Sequence, residues 1–376
     1  MNWNRRDFLK LAGTAAASLA MSSEAGATEN RMNSRTAVER YRTLWLEMMG
    51  PFPDEIVPLR PEMKRIADIG GFEAWRISFL SEADDRVPGY LIVPGSARKA
   101  GRSPVMICIH STTEGSGKDR IAGLAGARPE DPPDPPATSR AYGLELARWG
   151  YAVLCFDLIC DGERIPPGTT RYDTCRFYEK HPEWSAVGKN IWDVQRSIDF
   201  LETLDFVDRS RIGCVGHSLG GHSSLFAAAF DRRIAAVCSN GGALAWQLPA
   251  DHWSRPMGGG RGPVRSYVYL PRFRKYVDNP DLKPPVDFEH LMMMVAPRPL
   301  LVMASEGEVE SQGLVDKYAA AFGHYHAMGA GDRIGMFSYP GKHSYPPVAK
   351  RHSFNWFDRW FDHTPAVPTL WPDALI

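Results

Sequence analysis

Arg211-Ile-Gly-Cys-Val-Gly-His-Ser-Leu-Gly-Gly221 is the stretch whose reading decides the fold. A short apolar run, residues 212–217, ends in Gly216-His217-Ser218-Leu219-Gly220, and small residues at helical spacing follow to Phe230. A strand that breaks at G-x-S-x-G into a helix lifts the serine hydroxyl above the carboxyl end of a sheet. Any side chain at Gly216 or Gly220 would crowd that turn. The helix behind it aims its first N–H groups and positive dipole end at the same spot. With 34 glycines in the chain, the pattern by itself also fits a glycine turn around a buried serine. The strand before it and the helix after it are what mark Ser218 as a candidate nucleophile.

Outward from this point, apolar runs alternate with helical patterns. Strands are expected at 105–110, 152–157, 212–217, 234–239, 300–304 and 335–339. Helices are expected at 138–149, 188–204, 219–230, 288–295, 314–328 and 347–362. Such alternation implies parallel pairing through crossovers. Residues 72–80 and 89–93 form an antiparallel pair around a charged turn at 82–86. The expected class is α/β: a mostly parallel central sheet with an antiparallel start and helices on both faces. Three segments break the rhythm, 128–136, 160–185 and 241–285, and all leave from carboxyl ends of strands, where open α/β sheets bind ligands. The domain plan is a leader at 1–27, a helical and extended segment at 28–70 with a linker at 27–33 and a helix at 35–49, a catalytic domain at 71–365 with an insertion at 241–285, and a tail at 366–376.

Lys and Arg together number 44, as do Asp and Glu, so the formal net charge is zero. No basic stripe favours nucleic acid and no polybasic patch favours a membrane surface. The N-terminus reads as an address. Asn4-Arg5-Arg6-Asp7-Phe8-Leu9-Lys10 is followed by a mildly apolar run to Met21, with small residues at Ala25-Gly26-Ala27 for cleavage. That is the layout of a twin-arginine signal, and the run is too short for stable membrane insertion. The expectation is a periplasmic or secreted bacterial protein that meets the twin-arginine export machinery. Of six cysteines, Cys108, Cys155, Cys214 and Cys238 lie in strand-like runs and read as buried hydrophobes, while Cys160 and Cys175 share one loop segment and are candidates to pair. No Cys or His spacing suggests a metal, and no cofactor is implied.

A serine hydroxyl needs a base to take its proton and an acid to orient that base, in the chain order Ser, Asp/Glu, His. His343 follows the last strand after a glycine turn and is the candidate base; His324, His326 and His352 lie within helices. The acid should follow the strand at 300–304, where the chain reads Ser305-Glu306-Gly307-Glu308-Val309-Glu310. Glu308 is the candidate, Glu306 the runner-up and Glu310 third; the same cluster also suits a helix start. The oxyanion formed in acyl transfer needs fixed donors. These are the backbone N–H of Leu219 and that of Thr112, with Ser111 next. Trp246 and Trp253 offer an apolar wall, His222 lies one helical turn from Ser218, and Arg164 either contacts substrate or pairs internally.

The segments 213–221, 182–193 and Ala296-Pro-Arg-Pro-Leu-Leu301 resemble the α/β-hydrolase superfamily, in particular its dienelactone hydrolase-like and acetyl xylan esterase-like branch, over residues 70–365. Dienelactone hydrolases use a cysteine nucleophile where this chain has Ser218, and the family usually offers Asp where this chain offers glutamates. The resemblance implies hydrolysis of a carboxylic ester, a small molecule or a carbohydrate ester, without a cofactor. A prolyl oligopeptidase-like peptidase shares the triad logic, although the residues before the core are too few for a propeller. A catalytically silent binding protein on the same fold is the alternative of another kind.

Overall fold

The computed structural model describes residues 24–99, 101–112, 117–124, 140–243, 266–279, 281–307, 313–367 and 370–371. Among them nine strands form one sheet: β1 (Glu62–Arg65), β2 (Glu73–Glu82), β3 (Asp85–Val93), β4 (Ser103–Ile109), β5 (Ala152–Phe156), β6 (Val207–His217), β7 (Ile234–Asn240), β8 (Leu300–Ser305) and β9 (Ile334–Tyr339). Their spatial order is β1-β2-β3-β5-β4-β6-β7-β8-β9. The first three pair antiparallel, and β3 also meets β5 antiparallel. From β5 across to β9 every pair is parallel. Hairpin geometry suffices for the antiparallel start, whereas parallel neighbours need crossovers, and helices supply them.

The main helices are α1 (Glu24–Met49), α2 (Tyr142–Trp149), α3 (Ala186–Leu201), α4 (Leu219–Phe230), α5 (Phe288–Val295), α6 (Leu314–Ala327) and α7 (Pro347–Phe361). Strand side chains alternate between two apolar layers, as a two-residue period requires. Val105, Ile107 and Ile109 join Leu154, Cys214, Leu225, Phe288 and Trp45 on one face. Met106 and Cys108 join Val153, Val215, Trp149 and Phe354 on the other. Because both faces are covered, β4 and β5 are buried along their whole length, which is why they read as unbroken apolar runs.

The structure departs from the expectations in three places. Residues 27–33 continue α1 rather than forming a linker, since this Glu-, Ala-, Arg- and Met-containing stretch holds no proline and no glycine. Strand β1 was not expected, because all four of its residues are exposed and show no apolar alternation. Cys160 is buried, Cys175 is exposed, and both are free thiols, so the candidate disulfide is absent. The leader up to Ser23, the segment 128–136 and most of the insertion, residues 244–265, lie outside the described residues.

Candidate active site

Strand β6 ends at His217, and Ser218 stands between it and α4 with φ +57° and ψ −120°. A non-glycine residue there costs on the order of 1–3 kcal/mol, retained only where its surroundings enforce it. They do so here. The Ser218 N–H donates to the Asn240 carbonyl at 2.8 Å, and its own carbonyl accepts the His222 N–H at 2.9 Å. A Cβ on Gly220 would sit 1.9 Å from the Ile109 carbonyl oxygen, and one on Gly216 would sit 2.3 Å from the Gly220 carbonyl carbon. Gly220 therefore lets the elbow press against the end of β4, and Gly216 lets the turn close on itself.

The predicted nucleophile and base meet: His343 Nε2 lies 2.7 Å from Ser218 Oγ. His343 is carried by the loop between β9 and α7 and is exposed to solvent, whereas Ser218 is half-buried. Glu306 is exposed, and its carboxylate makes no hydrogen bond or ion pair with a described residue. Its backbone N–H donates to the Tyr339 carbonyl at 2.8 Å, and the next N–H, of Gly307, donates to the Gly341 carbonyl at 3.2 Å. The chain after β8 is thus tied alongside the His343 loop just before residues 308–312, which include Glu308 and Glu310 and lie outside the described residues.

Ser111 and Thr112 follow β4 directly beside the elbow. Arg140 Nη1 donates to Ser111 Oγ at 3.1 Å and to the Thr112 carbonyl at 3.0 Å, which holds this short loop in place. His110 pins it from below: Nδ1 donates to the Ser111 carbonyl at 2.9 Å while Nε2 accepts the Leu158 N–H at 3.0 Å. The Thr112 N–H makes no hydrogen bond within the described residues, and Leu219 N–H, at the first helical position, has no carbonyl inside α4 to meet.

A second layer of contacts escaped the sequence reading. Asn240, the last residue of β7, donates through Nδ2 to His217 Nδ1 and to the Ser344 carbonyl, both at 3.0 Å. The Tyr339 hydroxyl, at the end of β9, lies 2.8 Å from Asn240 Oδ1 and 2.6 Å from the Ser344 carbonyl. The His217 ring packs 4.6 Å from the His343 ring. Burial, then the charges of His343 and Arg140, hold His217 well below the usual imidazole range. It is a neutral spacer that adds no charge against an imidazolium at His343. The available signal was positional: these residues end neighbouring strands on the edge that carries the elbow.

Two expected substrate contacts are corrected. The Arg164 guanidinium is buried and reaches Asp193 at 2.7 Å, Asp85 at 2.6 Å and the Asp157 carbonyl at 3.0 Å, so it pairs internally. His222 is buried among Phe226, Tyr269 and Phe288, with ring centroids 4.6, 5.7 and 5.7 Å away, and burial pushes it down to about 3. It packs as an apolar ring. Trp246 and Trp253 lie outside the described residues.

One described cluster has the composition of a metal site: His110, Asp157 and Asp161, whose ligand atoms lie within 4.8 Å of one another. Their donors are already used. His110 Nε2 accepts from Leu158, Asp157 takes Lys118 Nζ at 2.6 Å and the Glu163 N–H at 3.0 Å, and Asp161 takes the Gly117 N–H at 3.0 Å and faces Arg171 Nε at 2.8 Å. The chain's own cations balance these carboxylates, and the donor set does not fit a metal.

A family model described as glucuronyl esterase, fungi, matches residues 168–329. Among curated proteins, carbohydrate esterase MZ0003 from an unknown prokaryotic organism is 27% identical over 219 residues, covering 53% of this chain and 47% of its own. The 4-O-methyl-glucuronoyl methylesterase 1 of Wolfiporia cocos (strain MD-104) is 31% identical over 193 residues, 47% of this chain and 46% of its own. The chain spans about half the length of these curated relatives. Among solved structures, a glucuronoyl esterase from Solibacter usitatus superposes with a TM-score of 0.66 at 18% identity, covering 86% of this chain and 92% of that one. With the strand order and the elbow after β6, this shows the α/β-hydrolase fold.

Proposed function

We propose that this chain is a serine esterase that hydrolyses a carboxylic ester of a carbohydrate through an acyl-enzyme. The observation that carries the reading is the 2.7 Å contact between His343 Nε2 and Ser218 Oγ at a strained elbow. His343 takes the hydroxyl proton as Ser218 attacks the ester carbonyl, and the N–H groups of Leu219 and Thr112 hold the oxyanion. The tetrahedral adduct collapses as His343 returns the proton to the leaving alcohol. Water then attacks the acyl-enzyme by the same route, releasing the acid and restoring Ser218. Glu308 orients His343; the hydrogen bonds of the preceding Glu306 and Gly307 to Tyr339 and Gly341 support that choice.

The substrate class follows from the relatives, which are named as carbohydrate and glucuronoyl esterases. The protein acts outside the cytoplasm, delivered by the twin-arginine leader at its N-terminus; among the described residues no helix is long and apolar enough to cross a membrane. The test is a panel of acetyl, feruloyl, glucuronoyl and short aliphatic esters given to the purified protein and to Ser218→Ala. Turnover is expected on the glucuronoyl ester, with a loss of roughly 10⁴-fold or more in the variant. Equal activity of the two proteins would refute the reading.

A further inference from the structure

A cavity of about 680 Å³ lies away from the elbow, between α1, α5 and α6. It sits at the amino ends of β7 and β8, whereas Ser218 and His343 stand at carboxyl ends. Its apolar lining is Val38, Met294, Ala296, Pro297 and Met328; its polar lining is Arg42, Arg232, Arg298, His324 and Glu39. Ligand pockets are of this size and make-up, mostly apolar with a few placed polar groups.

Positive side chains outnumber negative ones in the lining. Arg298 spends its donors on the carbonyls of Ala228, Asp231 and Ile234 and pairs with no carboxylate among the described residues. Arg42 donates to the Ala229 carbonyl at 3.0 Å. Glu39 stands 3.8 Å from Arg42 Nε and 3.6 Å from Arg232 Nη2, both beyond hydrogen-bond reach. Asp231, outside the lining, meets Arg233 at 2.7 Å, and its charge also reaches Arg42 and Arg298. The α4 carboxyl end adds about half a negative charge behind the wall, while in the lining itself three guanidiniums face one glutamate. Burial lowers Arg42 against the opposing charges of Glu39 and Asp231, with Arg232 adding to the effect, and burial pushes Arg298 down to about 10. An anion seated there would relieve both.

We propose that this cavity is a second ligand site, for a carboxylate with an apolar body, its charged end on Arg42 and Arg232 and its body on Met294, Pro297 and Met328. An apolar lining alone would take neutral rings equally well, and the arginines alone would take any small anion. The combination selects molecules with both features.

The test is titration calorimetry on the full chain carrying Ser218→Ala, so that turnover and the reading of the elbow do not enter. Benzoate is expected to bind one to one, with acetate and benzamide each at least tenfold weaker. Arg232 is 79% exposed at its side chain, so Arg232→Glu leaves the fold intact, as a thermal melt checks. It is expected to weaken benzoate at least tenfold, while Arg232→Lys keeps most of the affinity. Absence of saturable binding, equal binding of benzamide, or benzoate affinity unchanged in Arg232→Glu would each overturn the proposal.

Discussion

At the scale of single residues, the candidate site is a set of side chains that ends of neighbouring strands bring together. Ser218 and His343 are 125 positions apart yet in hydrogen-bond contact. What holds His343 is less obvious than what it touches. Asn240 bridges the residue before the nucleophile and the residue after the base, using one amide for both. Removing that amide leaves the 343–344 loop tied by the Tyr339 hydroxyl and frees the His217 ring to tilt. Preorganisation of this sort acts on the chemical step rather than on substrate affinity. Asn240→Ala is therefore expected to lower kcat about tenfold with KM within about twofold, a split that steady-state kinetics on an aryl ester would read. A rise in KM at unchanged kcat would assign Asn240 to substrate contact instead.

At the scale of elements, the segment 160–185 hangs from the end of β5 and is fixed by buried charge as well as by apolar packing around Tyr172. Arg164, in a short turn at Gly162–Arg164, anchors it to Asp193 on α3 and to Asp85 at the start of β3, and Lys189 joins both carboxylates at 2.7 and 2.6 Å. Taking away one partner of a buried pair leaves a charge without its counterion, at about 3–5 kcal/mol. Arg164→Ala should lower the unfolding midpoint markedly, yet the fraction that stays folded should keep its KM, because the guanidinium faces inward. This element also marks the boundary of what one chain of letters reveals. The parallel strands were legible because burial on both faces writes continuous apolar runs, and the elbow because its glycines are sterically required. Arg164 and His222 stayed open as substrate contacts because a polar residue near a strand end looks the same whether it meets substrate or a buried partner. Strand β1 was missed because its exposed residues carry no period. The Asn240 bridge joins positions 23 and 104 residues apart, and spacing along the chain holds no trace of it.

Across the whole molecule, two apolar layers clamp one sheet, and α1 belongs to the first of them: Trp45 is fully buried and meets Phe226 of α4 edge-on at 4.9 Å. The C-terminal segment closes the second, with Trp371 stacked on Trp149 at 6.4 Å. Burying that much surface brings polar rings inside as well, and it ties stability to pH. His222 is held at about 3 and His217 well below its ordinary value, burial being the largest cause for each. In the unfolded chain both titrate near about 6.5. Below that pH the unfolded state binds protons that the folded state refuses, so stability rises with pH from about 3 to 6.5 and is lost on acidification through the same window. Glu82 acts with the same sign lower down: burial raises it, but the His181 hydrogen bond and the Lys189 charge outweigh that and bring it to about 2, so its contribution goes between 4.5 and 2. His222→Phe separates the two windows. A phenyl ring suits the cage of Phe226, Tyr269 and Phe288 and carries no proton, so the slope of melting temperature against pH between 6.5 and about 4 should drop to the share that His217 supplies, while the fall below 4 remains. Calorimetric melts across that range would show it. An unchanged slope would mean that the buried ring takes up its proton without unfolding, and that the cage is open to water.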